Sequence, residues 1–317
     1  MRIIYYGTPE FAVPSLNILV ENGYDVVAVV TAPNKPAGRG QQLTFSAVKE
    51  YALSKGLKVL QPEKLKAQSF LEEVKSLNAD LQIVVAFRMM PEVLWSMSPL
   101  GTFNLHGSLL PQYRGAAPIN RAVMNGETKT GLTTFFLQQE IDTGSIIFRE
   151  EVPIAENETA GELHDRMMQI GAGLVLKTVQ QIEHGGLKAM PQEMFFKSTD
   201  ELKHAPKIFK EDCKLDFSKT ISEIHNHIRG LSPYPGAFVE MQKTDDSIFT
   251  MKILKSTKEE AGVFLTHQLV TDGKSFLKIS GTDGFVNVLE AQLPGKKRMS
   301  IGDLLRGFHF EDDWKII

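Results

Sequence analysis

Cysteine is nearly missing from this chain: Cys213 is the one thiol in 317 residues. A single thiol cannot close an internal disulfide, so a reducing cytoplasm is the expected compartment, and a Cys-rich zinc site is excluded. Long apolar runs are also missing. No stretch approaches the ~18 uninterrupted apolar residues of a membrane span. The opening Met1-Arg2-Ile3-Ile4-Tyr5-Tyr6-Gly7 reaches a turn too soon for a signal peptide. No membrane partner is expected. A strong charge of one sign is absent, since 35 Lys and Arg stand against 38 Asp and Glu, for a net charge of −3. Neither half is strongly basic, so nucleic-acid binding would have to rest on local basic patches. Repeats and low-complexity tracts are absent. What is present is an ordinary globular mixture, 42% hydrophobic and 23% charged, which excludes disorder, collagen and a disulfide scaffold. At roughly 100–200 residues per domain, the length calls for about two domains.

The first half alternates short apolar runs with helical patterns. Strands are expected at Ile3–Tyr6, Asp25–Thr31, Leu57–Leu60, Leu81–Ala86 and Phe103–Leu105. Helices are expected at Phe11–Asn22, Ser46–Lys55 and Ala67–Leu77. This alternation implies βαβ units and a doubly wound, mostly parallel α/β sheet. Gly131–Leu137 and Ser145–Val152 lie too close for a crossover helix, and are expected to pair as an antiparallel hairpin at one sheet edge. A long helix is expected over Thr159–His184, stopped by Gly185-Gly186. The pattern divides into a catalytic domain over 1–189, a linker over 190–208 with Pro191 and Pro206, and a C-terminal domain over 209–317. The last part carries one helical pattern, Ser218–Arg229, then runs at Gly236–Met241, Ile248–Leu254, Gly262–Val270, Ser275–Ser280 and Val286–Leu289, and a short helix at Ile301–Arg306. Five short strands suggest a small OB-like β-barrel, with a small sandwich as the alternative.

Two nucleotide signatures are missing. Gly7-Thr8-Pro9 follows the first strand, but the rest of Gly-x-Gly-x-x-Gly does not, and no Gly-x-x-x-x-Gly-Lys loop occurs. The densest polar cluster is Asn104-Leu105-His106-Gly107-Ser108-Leu109-Leu110-Pro111, at the end of a strand. In doubly wound sheets the active site lies at the carboxyl ends of the strands. Strand alternation puts Asn104 and His106 on one side. An amide that donates to a developing oxyanion, beside an imidazole that moves a proton near neutral pH, suits acyl transfer. A carboxylate is needed to orient the imidazole, and Asp142 in Ile141-Asp142-Thr143-Gly144 is the best candidate. Taken singly, Asn104 also reads as a turn amide, His106 as a satisfied strand-end histidine and Asp142 as an ordinary turn residue.

In combination they resemble a known family. Asn104-x-His106-Gly107-Ser108-Leu109-Leu110-Pro111, Tyr113-Arg114-Gly115-Ala116-Ala117-Pro118-Ile119 and Asp142-Thr143-Gly144 closely resemble the 10-formyltetrahydrofolate-dependent formyltransferases. Further matches run nearly end to end: Gly7-Thr8-Pro9-Glu10-Phe11-Ala12, Pro36-Ala37-Gly38-Arg39-Gly40, Ala205-Pro206-Lys207-Ile208, Ser232-Pro233-Tyr234-Pro235-Gly236-Ala237 and Gly295-Lys296-Lys297-Arg298-Met299. They are similar to the branch of the family that works on methionine-charged initiator tRNA. One departure is Arg88, where the family usually has glycine.

The resemblance implies formyl transfer from 10-formyltetrahydrofolate to the amine of methionine on initiator tRNA, with Asn104, His106 and Asp142 catalytic. It implies a folate co-substrate along Phe87, Arg88, Met89 and Pro91 and along Ser108, Leu109, Leu110 and Pro111. It implies tRNA contacts at Lys35 and Arg39 in a glycine-rich loop, at Lys207, and at Lys296, Lys297 and Arg298. No metal, no DNA partner and a monomer are expected. Two competing functions stay open. One is transfer to another small amine, or hydrolysis of the formyl-folate. The other is tRNA binding without catalysis.

Overall fold

The computed structural model describes residues 1–37, 42–262, 265–311 and 314–317. Its backbone divides into two compact units. The first comprises Met1–Gly115, Gly131–Val152 and His164–His204; the second comprises Ala116–Thr130, Pro153–Leu163 and Ala205–Ile317.

The first unit is built on a seven-stranded sheet. Its strands are β1 (Arg2–Gly7), β2 (Asp25–Val30), β3 (Val59–Leu60), β4 (Leu81–Val85), β5 (Thr102–His106), β6 (Lys129–Phe136) and β7 (Ile146–Pro153), in the order β7-β6-β5-β4-β1-β2-β3. Pairs β1–β2, β1–β4, β4–β5 and β2–β3 are parallel. β5–β6 is antiparallel, with Asn104 opposite Phe135 and His106 opposite Thr133. All five residues of β4 are buried, as in a strand of a parallel sheet covered on both faces. The chain winds outward from β1 to β3, then returns to β4 on the other side of β1. The strand order therefore reverses between β1 and β4, the place where doubly wound sheets bind ligands.

Helices α1 (Val13–Glu21), α2 (Ala47–Ser54) and α3 (Gln68–Ser76) connect the parallel strands. Ser46 caps α2 by accepting the Lys49 N–H, which satisfies one of the orphan donors of the first turn. One face of the sheet closes over Ile4, Tyr6, Ala28, Val30, Val84 and Leu94. The long helix α4 runs over Ala160–His184. A short ribbon, Lys35–Ala37 against Gln42–Thr44, follows β2.

The second unit holds an antiparallel sheet that nearly closes into a barrel. It contains β8 (Ala237–Gln242), β9 (Ile248–Glu260), β10 (Leu269–Thr271), β11 (Leu277–Ser280), β12 (Gly284–Gln292), β13 (Met299–Ser300) and β14 (Lys315–Ile316). The order is β10-β11-β12-β9-β8-β14, with β13 also on β12. Helix α5 (Ile221–Leu231) starts at a reciprocal capping box between Thr220 and Glu223. It buries Ile221, Ile224, Ile228 and Leu231 against the barrel core, and that spacing is one face of a helix.

The expected strand at Ile248–Leu254 runs on to Glu260. Its register shifts between Ile253 and Ser256, so a bulge bends the strand and breaks the alternation that would have revealed its polar end. The expected strand over Gly262–Val270 is reduced to Leu269–Thr271, and residues 263–264 lie outside the described residues. Among the described residues, no helix is long and apolar enough to cross a membrane.

Candidate active site

β5 ends in Asn104-Leu105-His106, and the pleat sends Asn104 and His106 the same way. His106 is 6% exposed. Its Nε2 lies 2.9 Å from the Tyr113 carbonyl oxygen. A carbonyl only accepts, so Nε2 carries a hydrogen and donates it. That fixes the tautomer and leaves Nδ1 as the nitrogen that can gain or lose a proton. Asp142 Oδ2 stands 3.7 Å from Nδ1, placed to stabilise the imidazolium when it forms. By the pleat Asn104 lies on the same face of β5 as His106, and it is half-buried.

Asp142 is itself held. Its Oδ2 accepts the Gly115 N–H at 2.9 Å. Its backbone sits at φ 56, a left-handed conformation that Asp and Asn tolerate better than most side chains. Tyr113 sits at φ 60, which strains a bulky residue by roughly 1–3 kcal/mol and persists only where surrounding bonds determine it. Both peptide groups of Tyr113 supply such bonds: the carbonyl accepts a hydrogen bond from His106 Nε2–H, and the N–H donates to the Lys203 carbonyl at 2.6 Å. Gly144 closes the turn where no side chain fits, since a Cβ there would lie 1.6 Å from the Phe136 carbonyl oxygen.

The residues expected to line a folate pocket fall into two groups. In the loop after β4, Phe87 is half-buried and meets the Tyr6 ring edge-on at 5.6 Å. Met89 is 69% exposed and Met90 is buried, so the two methionines do not pack as a pair. Arg88 does not reach into the strand ends. Its guanidinium donates to the Glu63 carbonyl at 2.9 Å and to the Pro62 carbonyl, tying this loop to the one after β3. In the Ser108–Pro111 stretch the side chains turn inward. Ser108 Oγ donates to the Gln112 carbonyl at 2.6 Å, and Leu110 packs with Phe135 and Ile146. Pro111 is buried and Leu109 half-buried. Thr133 Oγ1 donates to the Ser108 carbonyl and accepts the Leu110 N–H.

The basic candidates are of a different kind. Lys207 is exposed, with its ammonium 5.4 Å from the Phe209 ring. Lys296, Lys297 and Arg298 are exposed in the turn between β12 and β13. Arg298 is paired with Glu290, which pushes its pKa further up. Lys35 lies in the short ribbon after β2, and Arg39 lies outside the described residues. Among the described residues, no group of three or more His, Cys, Asp or Glu side chains converges as metal ligands would.

One polar residue at this site carries no sequence signal. Gln192, inside the stretch read as a linker, is fully buried and bonded to both Arg114 and the Asp142 turn. A glutamine after a proline has no period and no charge, and only the fold brings it here.

Two family models match the chain, one described as formyl transferase over residues 1–179 and the other as formyl transferase, C-terminal domain over residues 207–309. The chain belongs to the formyl transferase family. At finer resolution it is similar to the methionyl-tRNA formyltransferase of Bacteroides fragilis, with 52% identity over 317 residues, covering 100% of this chain and 98% of that protein. It is similar as well to the methionyl-tRNA formyltransferase of Parabacteroides distasonis, with 54% identity over 310 residues, covering 97% and 96%. Among solved structures it resembles an N-formyltransferase from Helicobacter canadensis in complex with folinic acid and dTDP-3-aminofucose. The TM-score is 0.66 at 25% identity, with 90% of this chain and 98% of that one covered.

Proposed function

We propose that this chain transfers the formyl group of 10-formyltetrahydrofolate to the free amine of methionine on initiator tRNA. The observation that carries the chemistry is the His106–Asp142 pair at the carboxyl end of β5, with Asn104 two residues before it on the same side. The acceptor rests on end-to-end similarity, at half identity, to relatives named for methionyl-tRNA.

The amine attacks the formyl carbon, a C–N bond forms, and negative charge gathers on the formyl oxygen. Asn104 donates its amide N–H to that oxygen. Because Tyr113 holds Nε2, His106 takes the proton of the attacking amine on Nδ1 and returns it to the nitrogen that leaves. Asp142 stabilises the charged imidazole between those two transfers. The products are the formamide and tetrahydrofolate, with protons balanced.

The folate co-substrate fits the groups at the strand-order reversal. Phe87 and Met89 offer apolar surface there, and Pro91 closes the loop. Ser108, Leu109, Leu110 and Pro111 contribute backbone rather than side chains, because three of the four side chains are buried. Arg88 shapes the loop from behind, through Pro62 and Glu63. Lys35, Arg39, Lys207, Lys296, Lys297 and Arg298 meet the tRNA. Residues 1–189 form the catalytic part, 190–208 the connection and 209–317 the tRNA-binding part. We take the protein to act as a cytoplasmic monomer, with no membrane or DNA partner.

The test is formyl transfer in vitro, using 10-formyltetrahydrofolate with methionine-charged initiator tRNA, charged elongator tRNA and free methionine in parallel. The expected result is formylation of the initiator alone. Release of tetrahydrofolate without formylated tRNA would move the acceptor to water or another amine.

A further inference from the structure

The stretch 190–204 connects the long helix to the rest of the chain, yet it is bonded repeatedly to the catalytic turns. Met190 and Ile146 exchange both backbone bonds at 2.8 Å. Gln112 accepts the Lys203 N–H at 2.8 Å, and the Lys203 carbonyl accepts the Tyr113 N–H. Gln192 is the buried centre of this contact. Its Nε2 donates to the Asp142 carbonyl at 2.8 Å and to the Gly144 carbonyl at 2.9 Å. Its Oε1 accepts from Arg114 Nε at 3.1 Å and Nη2 at 2.7 Å. Two carbonyls demand a donor and a guanidinium demands an acceptor, so only one orientation of the amide satisfies all four.

We propose that Gln192 is a positioning residue for the catalytic carboxylate, its amide locking the Asp142–Gly144 turn to Arg114 so that Asp142 Oδ2 stays against His106. This rests on the catalytic reading of Asn104, His106 and Asp142. Arg114 immediately precedes Gly115, whose N–H holds the same carboxylate oxygen. The turn is thus pinned at two points, the carboxylate by Gly115 and the backbone by Gln192. Neither point alone fixes the carboxylate against rotation about the turn. No other side chain supplies two donors and an acceptor at this reach. Glutamate lacks the donors, methionine lacks both functions, and asparagine is one methylene short.

The effect is on geometry, so it is read best through Asp142 itself. Gln192→Met keeps the volume and removes the four bonds. In the full-length protein, kcat for methionyl-tRNA should fall about 10–100-fold, as small misplacements of catalytic groups do, with KM for either substrate changed much less. In an Asp142→Ala background the same substitution should change single-turnover rate less than twofold, because the group it positions is gone. A purely structural role would lower the rate by the same factor in both backgrounds, and that result, like an unchanged kcat in Gln192→Met alone, overturns the proposal while leaving the catalytic residues in place. If Asp142→Ala itself keeps full turnover, the catalytic reading fails and the role of Gln192 fails with it. Should Gln192→Met not melt like the parent protein, Gln192→Glu, which retains an acceptor for Arg114 and sets an oxygen against the two carbonyls, is taken through the same cycle with the same outcomes.

Discussion

The end of β5 and the outer surface of the second unit handle polar groups in opposite ways. Around His106 each group is held at two points: the imidazole by Tyr113 and Asp142, the carboxylate by Gly115 and by its own turn, and the turn by the two bonds Gln192 gives to the Asp142 and Gly144 carbonyls. In the second unit, Lys296 and Lys297 stand in solvent on a turn, and among the described residues no side chain pairs with their ammonium groups. On the proposed function, the difference follows from what each would recognise. A tetrahedral intermediate has one geometry, and donors help only if they are aimed before it forms. A phosphate backbone is a line of charge, and mobile ammonium groups meet it with little loss. Order is concentrated where misplacement is most damaging.

Removing the imidazole should break the first region most severely. His106→Ala is expected to lower kcat by ~10²–10⁴ while binding of charged tRNA persists. Formylation rates beside a tRNA-binding assay check this, and loss of binding in step with turnover would contradict it. Asn104→Ala should lower kcat by ~10²–10³, the usual loss for one oxyanion donor. If Asn104→Asp restores turnover, the amide is not a donor to developing negative charge.

The sequence made this region legible unevenly. Ile3–Tyr6 and Leu81–Val85 announce themselves because both faces of their strands are buried, and a short, mostly apolar run rich in β-branched and aromatic residues reads as a strand. Asn104 and His106 were legible because period-two geometry decides their facing without knowledge of the fold. Asp142 was a candidate because the imidazole needs a carboxylate and this one lies in the turn between the two edge runs, but an Asp-Thr-Gly turn has many ordinary uses, and only the motif combination raised it above them. Gln192 was not legible. It lies 50 residues from Asp142, its neighbourhood is irregular, and an uncharged amide signals nothing until its partners are seen. The resemblance puts Ser108 and Leu110 at the folate pocket; the Ser108 hydroxyl bonds the Gln112 carbonyl and Leu110 packs with Phe135 and Ile146, which leaves their backbone for the folate. A motif states which residues recur, not which atom of each is used.

A second buried histidine sharpens the contrast. His225 in α5 is 2% exposed, with its Nδ1 2.9 Å from Ser256 Oγ. Burial, reinforced by Arg229 and Lys258 and opposed by Glu156, lowers its pKa to about 4. Unlike His106 it faces no carboxylate side chain at ion-pair distance among the described residues, so it stays neutral in the folded protein. The unfolded chain takes up a proton near pH 6.5 that the folded chain refuses until about pH 4. Stability is therefore lost as pH falls through that window, by up to roughly 3 kcal/mol. Melting temperature against pH for His225→Gln should decline less steeply between pH 6.5 and 4 than for the parent. Parallel declines would mean that other groups carry the acid limb.

The smallest effects are expected at the basic turn, where the comparison predicts weakness. Lys296→Ala and Lys297→Ala should each raise KM for charged tRNA by a few-fold and leave kcat near the parent value. An exposed ammonium adds counterion release rather than geometry. The logarithm of affinity should therefore lose about one unit of salt slope per lysine that contacts a phosphate. Arg298 should behave differently, because Glu290 already holds its guanidinium and any phosphate must compete with that carboxylate. Arg298→Ala is then expected to change affinity less than either lysine. Glu290→Gln, which releases the guanidinium, should tighten tRNA binding slightly and steepen the salt dependence. A lysine substitution that lowers kcat a hundredfold at saturating tRNA would mean that the turn places the acceptor end, and the division between an ordered site and a loosely held surface would have to be redrawn there.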